Sequence, residues 1–101
     1  MIKLVFVKDK KILGFVFGEV GIVGGTLTKR RKILHIHEIG VTRTSRHLGI
    51  GTQLLDEMKR IAKEKNCVEL NLSVWSFNKK AINFYIKNGL ECQTMRMEFK
   101  I

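Results

Sequence analysis

The hydrophobic period of the sequence first changes between Val41 and Ile50, and this change constrains the fold more than any other feature. Up to Val41 the chain consists of short runs rich in β-branched and aromatic residues, a pattern typical of β-strands. From Ile50 the apolar residues recur at steps of three and four, which predicts an amphipathic helix of about four turns that ends near Asn66. The connection from Arg43 to Gly51 must therefore leave a strand, reverse and enter a helix.

Three strands are predicted before this connection. Residues 2–7 and 12–17 flank a polar turn and predict an antiparallel hairpin. The second strand continues through Val23 until Gly24 and Gly25 end it. Basic residues 29–32 form a solvated turn into a third strand over residues 33–41.

A strand, a helix and a last strand are predicted after the first helix. Apolar and polar residues alternate from Val68 to Val74, which predicts a fourth strand. Asn78 is a good cap for a helix that runs to Asn88, with Gly89 as a left-handed stop. A further strand is expected around residues 95–99.

This order of elements predicts an α/β fold. The strand–helix–strand unit implies parallel neighbours joined by a right-handed crossover. We therefore expect one mixed central sheet with an N-terminal antiparallel hairpin, a βαβ unit and two main helices. A chain of 101 residues is expected to form a single domain over residues 1–101.

Composition narrows the class of protein without naming the partner. The net charge is +10, from 19 Lys and Arg against 9 Asp and Glu, which favours anionic partners such as nucleic acid or phosphorylated cofactors. The aromatic residues occupy apolar strand or helix positions, however, and form no stacking platform for single-stranded nucleic acid.

Cys67 and Cys92 are too few and too far apart for a zinc site or a disulfide framework. No signal peptide or membrane span is expected, so the protein is predicted to be cytoplasmic.

The connection itself has the composition of an anion site. A helix N-terminus presents unpaired N–H groups, and Gly49 and Gly51 allow an anion to approach the backbone closely. Arg43 and Arg46 lie beside it, so a pyrophosphate is the expected ligand. The spacing matches neither the dinucleotide fingerprint nor the P-loop, and a structural turn explains such a glycine pair in most sequences.

Two blocks together resemble the GNAT superfamily of acetyl-CoA-dependent N-acetyltransferases. VTRTSRHLGIGTQLL, residues 41–55, is similar to the pyrophosphate loop of that family, and VWSFNKKAINFYIKNGL, residues 74–90, is similar to its Asn-x-x-Ala helix and the segment that follows. The resemblance implies transfer of an acetyl group from acetyl-CoA to a primary amine, without a metal. The positions that it assigns to acetyl-CoA are Ile39, Gly40, Val41, Arg46, His47, Leu48, Gly49, Ile50, Gly51, Thr52, Asn78, Lys80, Ala81 and Tyr85.

The resemblance also implies candidates for proton transfer. The reaction needs a neutral amine, so a base must remove a proton from it, and the departing thiolate needs an acid. Histidine suits the first role and tyrosine the second. Some family members use a histidine pair through water, as His35 and His37 are placed here, and many others use a glutamate, as Glu38 is. We favour His37 with His35 assisting, keep Glu38 as the alternative base, and assign the acid to Tyr85. Strand alternation predicts that the histidines and the glutamate point to opposite faces, unless a bulge near Gly40 resets the parity.

The sequence departs from the family before the histidine strand. Only 32 residues precede residue 33, and they predict a hairpin without the family's usual N-terminal strand and helices. A homodimer that completes the acceptor wall, a large acceptor that needs no wall, or a non-catalytic acyl-CoA-binding module each accounts for this. The acceptor, a small molecule or a protein or peptide amine, stays open.

Overall fold

The structure, a computed structural model, describes all residues 1–101 and contains one four-stranded sheet. The strands are β1 (Ile2–Lys8), β2 (Lys11–Val23), β3 (Arg31–Val41) and β4 (Glu69–Asn71), and they lie in that order. The first three pair antiparallel, and β4 pairs parallel to β3. With the helices α1 (Ile50–Glu64) and α2 (Lys79–Lys87), this is the mixed α/β fold that the sequence predicts.

The buried core lies on one face of the sheet, beneath α1. Helix α1 crosses β2 and β3, and α2 lies beside it, where Lys59 of α1 donates to the carbonyl oxygen of Asn88. Burying a side chain such as Leu34 or Leu55 stabilises the fold by about 1.5–3 kcal/mol. The cluster of buried residues consists of Val16, Leu34, Ile36, Ile50, Leu54, Leu55, Met58 and Ala62.

A β-bulge at His37 interrupts the pairing of β2 with β3. Phe17 pairs with Glu38 and Gly18 pairs with Ile36, so His37 is the extra residue. A side chain at position 18 would collide with the carbonyl oxygen of His35, so the close approach of the strands requires glycine there. The sequence left open a bulge near Gly40 that would reset the parity of the strand; the bulge lies instead at His37, and it changes which residues share a face.

The parallel pairing of β3 with β4 stops early. The last pair is His35 with Asn71, although β3 continues to Val41. The predicted fourth strand over residues 68–74 is therefore shorter than expected. We call the gap between residues 36–41 of β3 and residues 72–75 the fork.

The predicted strand around residues 95–99 is wrong. Residues 90–101 form neither helix nor strand, and Met97 and Phe99 are 89% and 86% exposed. An alternating sequence becomes a strand only where another strand edge supplies its hydrogen bonds, and no such partner lies beside this segment. We call residues 91–101 the tail. Neither helix is both long and apolar enough to cross a bilayer.

Candidate functional site

The fork exposes backbone groups on one edge of β3. Strand β2 pairs with β3 as far as Val41, but only on the other edge. Because β4 pairing ends at His35, the N–H and C=O groups that face the fork between residues 36 and 41 have no strand partner. A ligand that offers amide groups can pair with this edge as an added strand would.

The N-terminus of α1 lies at the end of the same strand and has no side-chain cap. Gly49 is the N-cap residue with a left-handed φ of 74°, and the first turn contains no acidic residue. The first backbone bond of this turn runs from the N–H of Gln53 to the carbonyl oxygen of Gly49 at 3.1 Å. The N–H groups of the three residues before Gln53 therefore have no acceptor within the helix. A Cβ at position 49 would meet no atom within 4 Å, so the glycine leaves open space in front of these donors.

Basic and polar groups surround this helix end. Arg43 and Ser45 bound a single 3-10 turn, and Ser45 is buried while the arginine is exposed. The Arg46 Nε lies 3.5 Å from the carbonyl oxygen of Val41, which keeps its guanidinium beside the strand end. His47 and Leu48 are exposed in the same connection. The positive end of the helix dipole and two guanidinium groups thus share one surface.

The start of α2 contributes a second group of candidates. The Asn78 Oδ1 accepts a hydrogen bond from the Ala81 N–H at 3.2 Å, which confirms Asn78 as the helix cap and leaves its NH₂ group free to donate. Lys79 and Lys80 are exposed beside it. The rings of Trp75 and Phe77 stack 5.8 Å apart just before the helix and are mostly exposed.

Tyr85 lies on the helical side of the sheet. Its ring packs 5.4 Å from that of Phe84, and both contact the buried core. Burial raises the pKa of the Tyr85 phenol above its ordinary value of about 10. The phenol is therefore a protonated donor at neutral pH.

The histidines lie on the opposite, helix-free face. The rings of His35 and His37 are 5.0 Å apart, and the ring of Phe17 lies 6.3 Å from His37. Because Glu38 pairs with Phe17 across the bulge, it lies on this face too. The expectation that the histidines and the glutamate point to opposite faces is therefore wrong, since the bulge at His37 brings all three together.

Each histidine has a hydrogen-bond partner that sequence reasoning missed. The Nε2 of His37 lies 2.9 Å from a carboxylate oxygen of Glu19, and the Nδ1 of His35 lies 2.6 Å from the amide oxygen of Asn71. The one available signal was that Glu19 interrupts the apolar run of its strand, and this signal does not distinguish a partner from a solvated residue. Asn71 gives no signal, because it occupies an ordinary polar position of an alternating strand.

An open cavity of about 460 Å³ borders His35 on this face. Glu19 and Asn71 line it together with Gly21, whose Cβ position is open space. No group of three or more His, Cys, Asp or Glu side chains is placed to hold a metal ion. The site thus combines a donor-rich anion cradle, a free strand edge and an open cavity.

Comparison with known proteins identifies the family. The model of the acetyltransferase (GNAT) family matches residues 3–90, so the chain belongs to this family. Over 52 residues the chain is 35% identical to thialysine N-epsilon-acetyltransferase of Mus musculus, and the matched region covers 52% of this chain and 31% of that protein. The chain therefore spans about a third of the mouse protein.

Solved structures share the fold over nearly the whole chain. A tetramutant of the BH1408 protein from Bacillus halodurans superposes with a TM-score of 0.93 and 28% identity over 98% of this chain and 65% of that chain. Aminoglycoside N-acetyltransferase AAC(6′)-Iy in complex with CoA superposes with a TM-score of 0.83 and 19% identity over 98% and 73% of the two chains. The second likeness shows the fold alone.

Proposed function

We propose that this chain carries the acetyl-CoA site and the proton-transfer groups of an N-acetyltransferase that acts on a primary amine by direct attack. The observation that carries the proposal is the uncapped N-terminus of α1 beside the free edge of β3 at the fork. Acetyl-CoA supplies an acetyl group that is activated as a thioester. Thialysine and aminoglycosides, which appear in the names of two similar proteins, are both amines, and this supports an amine acceptor here.

The residues at the helix end fit a pyrophosphate. The N–H groups of Ile50, Gly51 and Thr52 are free of intrahelical acceptors, and no carboxylate of the first turn opposes an anion. The side chain of Arg46 adds positive charge, while His47, Leu48 and Gly49 contribute only backbone. In the fork, the edge formed by Ile39, Gly40 and Val41 is the expected partner of the pantetheine amides. The NH₂ group of Asn78 and the ammonium of Lys80, next to Ala81, complete the site.

Proton transfer is assigned to both faces of the sheet. In the reaction, a C–N bond forms to the acetyl carbon and the C–S bond breaks, so the amine loses a proton and the thiolate gains one. His37, assisted by His35, takes the proton from the amine, and the carboxylate of Glu19 stabilises the imidazolium that results. Glu38 on the same face is the alternative base. The phenol of Tyr85 gives its proton to the sulfur.

Binding is tested first by thermal unfolding with CoA, acetyl-CoA, ATP and NAD. A ligand at 100 times its Kd stabilises the folded chain by about 2.7 kcal/mol, so CoA and acetyl-CoA are expected to raise Tm while ATP and NAD do not. Release of free thiol on adding a panel of primary amines then tests transfer. No Tm shift with CoA and no thiol release with any amine would contradict the proposal.

A non-catalytic acyl-CoA-binding module is the second candidate. The observation that favours it is that no helix covers the face with the histidines, so the amine has only the open cavity. Such a module shows the Tm shift with CoA but no thiol release, and the quadruple substitution of His35, His37, Glu38 and Tyr85 then changes no turnover.

We also propose that the protein is a homodimer in the cytoplasm. The tail alternates exposed apolar side chains, and the outer edge of β4 has no strand partner, so a tail from a second copy has an edge to pair with. Both cysteines are free thiols, which fits a reducing compartment. A monomer in light scattering at micromolar concentration would contradict the dimer.

A further inference from the structure

A continuous chain of hydrogen bonds along β3 and β4 ends on His35. The Arg31 Nε donates to one oxygen of Glu69 at 2.7 Å, and the amide nitrogen of Asn71 donates to the other at 2.9 Å. The amide oxygen of Asn71 then lies 2.6 Å from the Nδ1 of His35. The proton transfers assigned above do not involve Arg31, Glu69 or Asn71.

The strand register brings these side chains together. Ile33 pairs with Glu69 and His35 pairs with Asn71 in the parallel ladder. Residues two apart on a strand share a face, so positions 31 and 35 of β3 flank positions 69 and 71 of β4. Asn71, which bonds to His35, is also the last paired residue of β4, so the fork begins directly after it.

Each bond in this chain has only one possible direction. A guanidinium only donates, and an ionised carboxylate only accepts. The pKa of Glu69 is lowered by the hydrogen bond from Asn71 and then by that from Arg31, so its carboxyl is ionised at neutral pH. The amide of Asn71 must therefore turn its NH₂ group to Glu69 and its oxygen to the imidazole, and an amide oxygen can only accept.

We propose that Arg31, Glu69 and Asn71 are positioning residues that hold neutral His35 in the Nδ1–H tautomer, with Nε2 as its proton-accepting atom. In a neutral imidazole one nitrogen donates and the other accepts, so the bond at Nδ1 decides which atom takes a proton. Its consequence for turnover rests on the proposed function, whereas the tautomer itself does not.

The neighbouring histidine is held the opposite way. The carboxylate of Glu19 accepts from the Nε2 of His37, which leaves Nδ1 of that ring to accept a proton. Glu19 is also the cross-strand partner of His35, so the groups around His35 are His37, Glu19, Asn71 and, through Asn71, Glu69. The two rings therefore accept protons at different nitrogens.

Proton–nitrogen correlation spectra of the full chain, labelled with ¹⁵N in its imidazoles, test the tautomer directly. At a pH where His35 is neutral, Nδ1 is expected to show the shift of a protonated nitrogen and Nε2 the far downfield shift of an unprotonated one. Asn71→Leu removes the acceptor, and Glu69→Gln removes the group that orients the amide, so both are expected to shift His35 toward the Nε2–H form. Asn83→Leu and Glu64→Gln make the same changes at exposed helix positions and are expected to leave the spectrum of His35 unchanged.

An Nε2–H tautomer in the unsubstituted protein, or an unchanged Nδ1–H tautomer in both Asn71→Leu and Glu69→Gln, would overturn the proposal. This readout needs no ligand, so it stands or fails independently of acetyl transfer.

Kinetics give a second readout in the acetyl-transfer assay. Asn71→Leu is expected to lower kcat roughly tenfold while KM for acetyl-CoA stays the same, because the change affects a proton transfer and not the binding of the cosubstrate. Asn71→Asp keeps an oxygen that accepts from Nδ1 and is expected to recover part of the loss. A loss in KM alone, or no recovery with Asn71→Asp, would contradict a positioning role.

Discussion

The two faces of the sheet are built in opposite ways. The face beneath α1 holds the whole buried cluster, and the groups proposed there to bind the ligand are backbone N–H donors at the N-terminus of that helix. The other face has no helix, and the groups proposed there to act in catalysis are side chains that hydrogen-bond to neighbouring side chains around His35 and His37. One side of the molecule is thus expected to bind through its backbone, and the other to act through its side chains.

This difference separates binding from chemistry. A backbone cradle forms whenever the strand, the turn and the helix fold, so it depends on glycine and on helix geometry more than on any polar side chain. A side-chain cluster depends on each partner separately, because a lost partner leaves the next group misdirected. Substitutions at the helix end on the helical face should therefore change CoA affinity, and those on the open face should change turnover. Tyr85 is the exception, since it is a side chain on the helical side that is assigned to turnover.

The largest effect is expected for His37→Ala on the open face. Removing a general base costs roughly 10²- to 10⁴-fold in kcat, while CoA affinity should be unchanged. Steady-state rates and calorimetric titration with CoA measure the two quantities. Lys3→Ala, on the same face across from Phe17, is the control that should alter neither. A parallel loss of CoA affinity in His37→Ala would break the division between the faces.

A smaller but still large effect is expected for Gly49→Glu on the helical side. A carboxylate in front of the helix end costs several kcal/mol against a pyrophosphate, which is a loss of CoA affinity of roughly a hundredfold or more. Gly89→Glu is a matched control, since Gly89 also has a positive φ, of 91°, and open space at its Cβ position. Both variants carry similar backbone strain, so they should lose similar stability in thermal unfolding. Equal CoA affinity in the two would contradict the cradle.

The same division explains how much the sequence revealed. The period change at Ile50, the cap at Asn78 and the stop at Gly89 are local signals, and the helices follow them to within two residues. The bulge at His37 is not local, because it arises where Gly18 of another strand lets the backbones approach. The partners Glu19 and Asn71 depend on that register, so alternation along β3 alone assigned Glu38 to the wrong face. The prediction of a strand in the tail was wrong for a related reason, since an alternating sequence does not indicate whether a strand edge is within reach.

Tyr85→Phe is expected to lower kcat roughly tenfold, because it removes the acid but leaves a thiolate that departs readily. Burial raises the pKa of Tyr85, so the phenol remains a donor up to and beyond its ordinary pKa of about 10. The alkaline fall in kcat of the unsubstituted protein should therefore lie above that pH and vanish in Tyr85→Phe. A pH–rate profile checks this, and an unchanged alkaline limb in the variant would remove Tyr85 from the mechanism.

The free energy of unfolding should also depend on pH through the ionisation of Tyr85. The folded state favours the neutral phenol, so this contribution is complete below the unfolded pKa of about 10 and is lost as the pH rises through the higher folded value. Tyr85→Phe lacks that dependence. Urea unfolding at about pH 8 and about pH 11 should show a steeper loss in the unsubstituted chain.

The smallest effect is expected for Glu69→Gln on stability. Hydrogen bonds from Asn71 and Arg31 lower the pKa of Glu69, so the stability that it contributes is present above the ordinary value of 4.5 and is lost as the pH falls through the lower folded value. The Arg31 and Glu69 side chains are 44% and 37% exposed, which limits this contribution to about 1 kcal/mol or less at neutral pH. Urea unfolding of both proteins should therefore differ slightly near neutral pH and converge in acid, with Glu91→Gln as a control of equal charge change. A cost of several kcal/mol would mean that the open face is held together by its polar network, as the helical face is by its core, and the contrast between the two faces would then fail at its base.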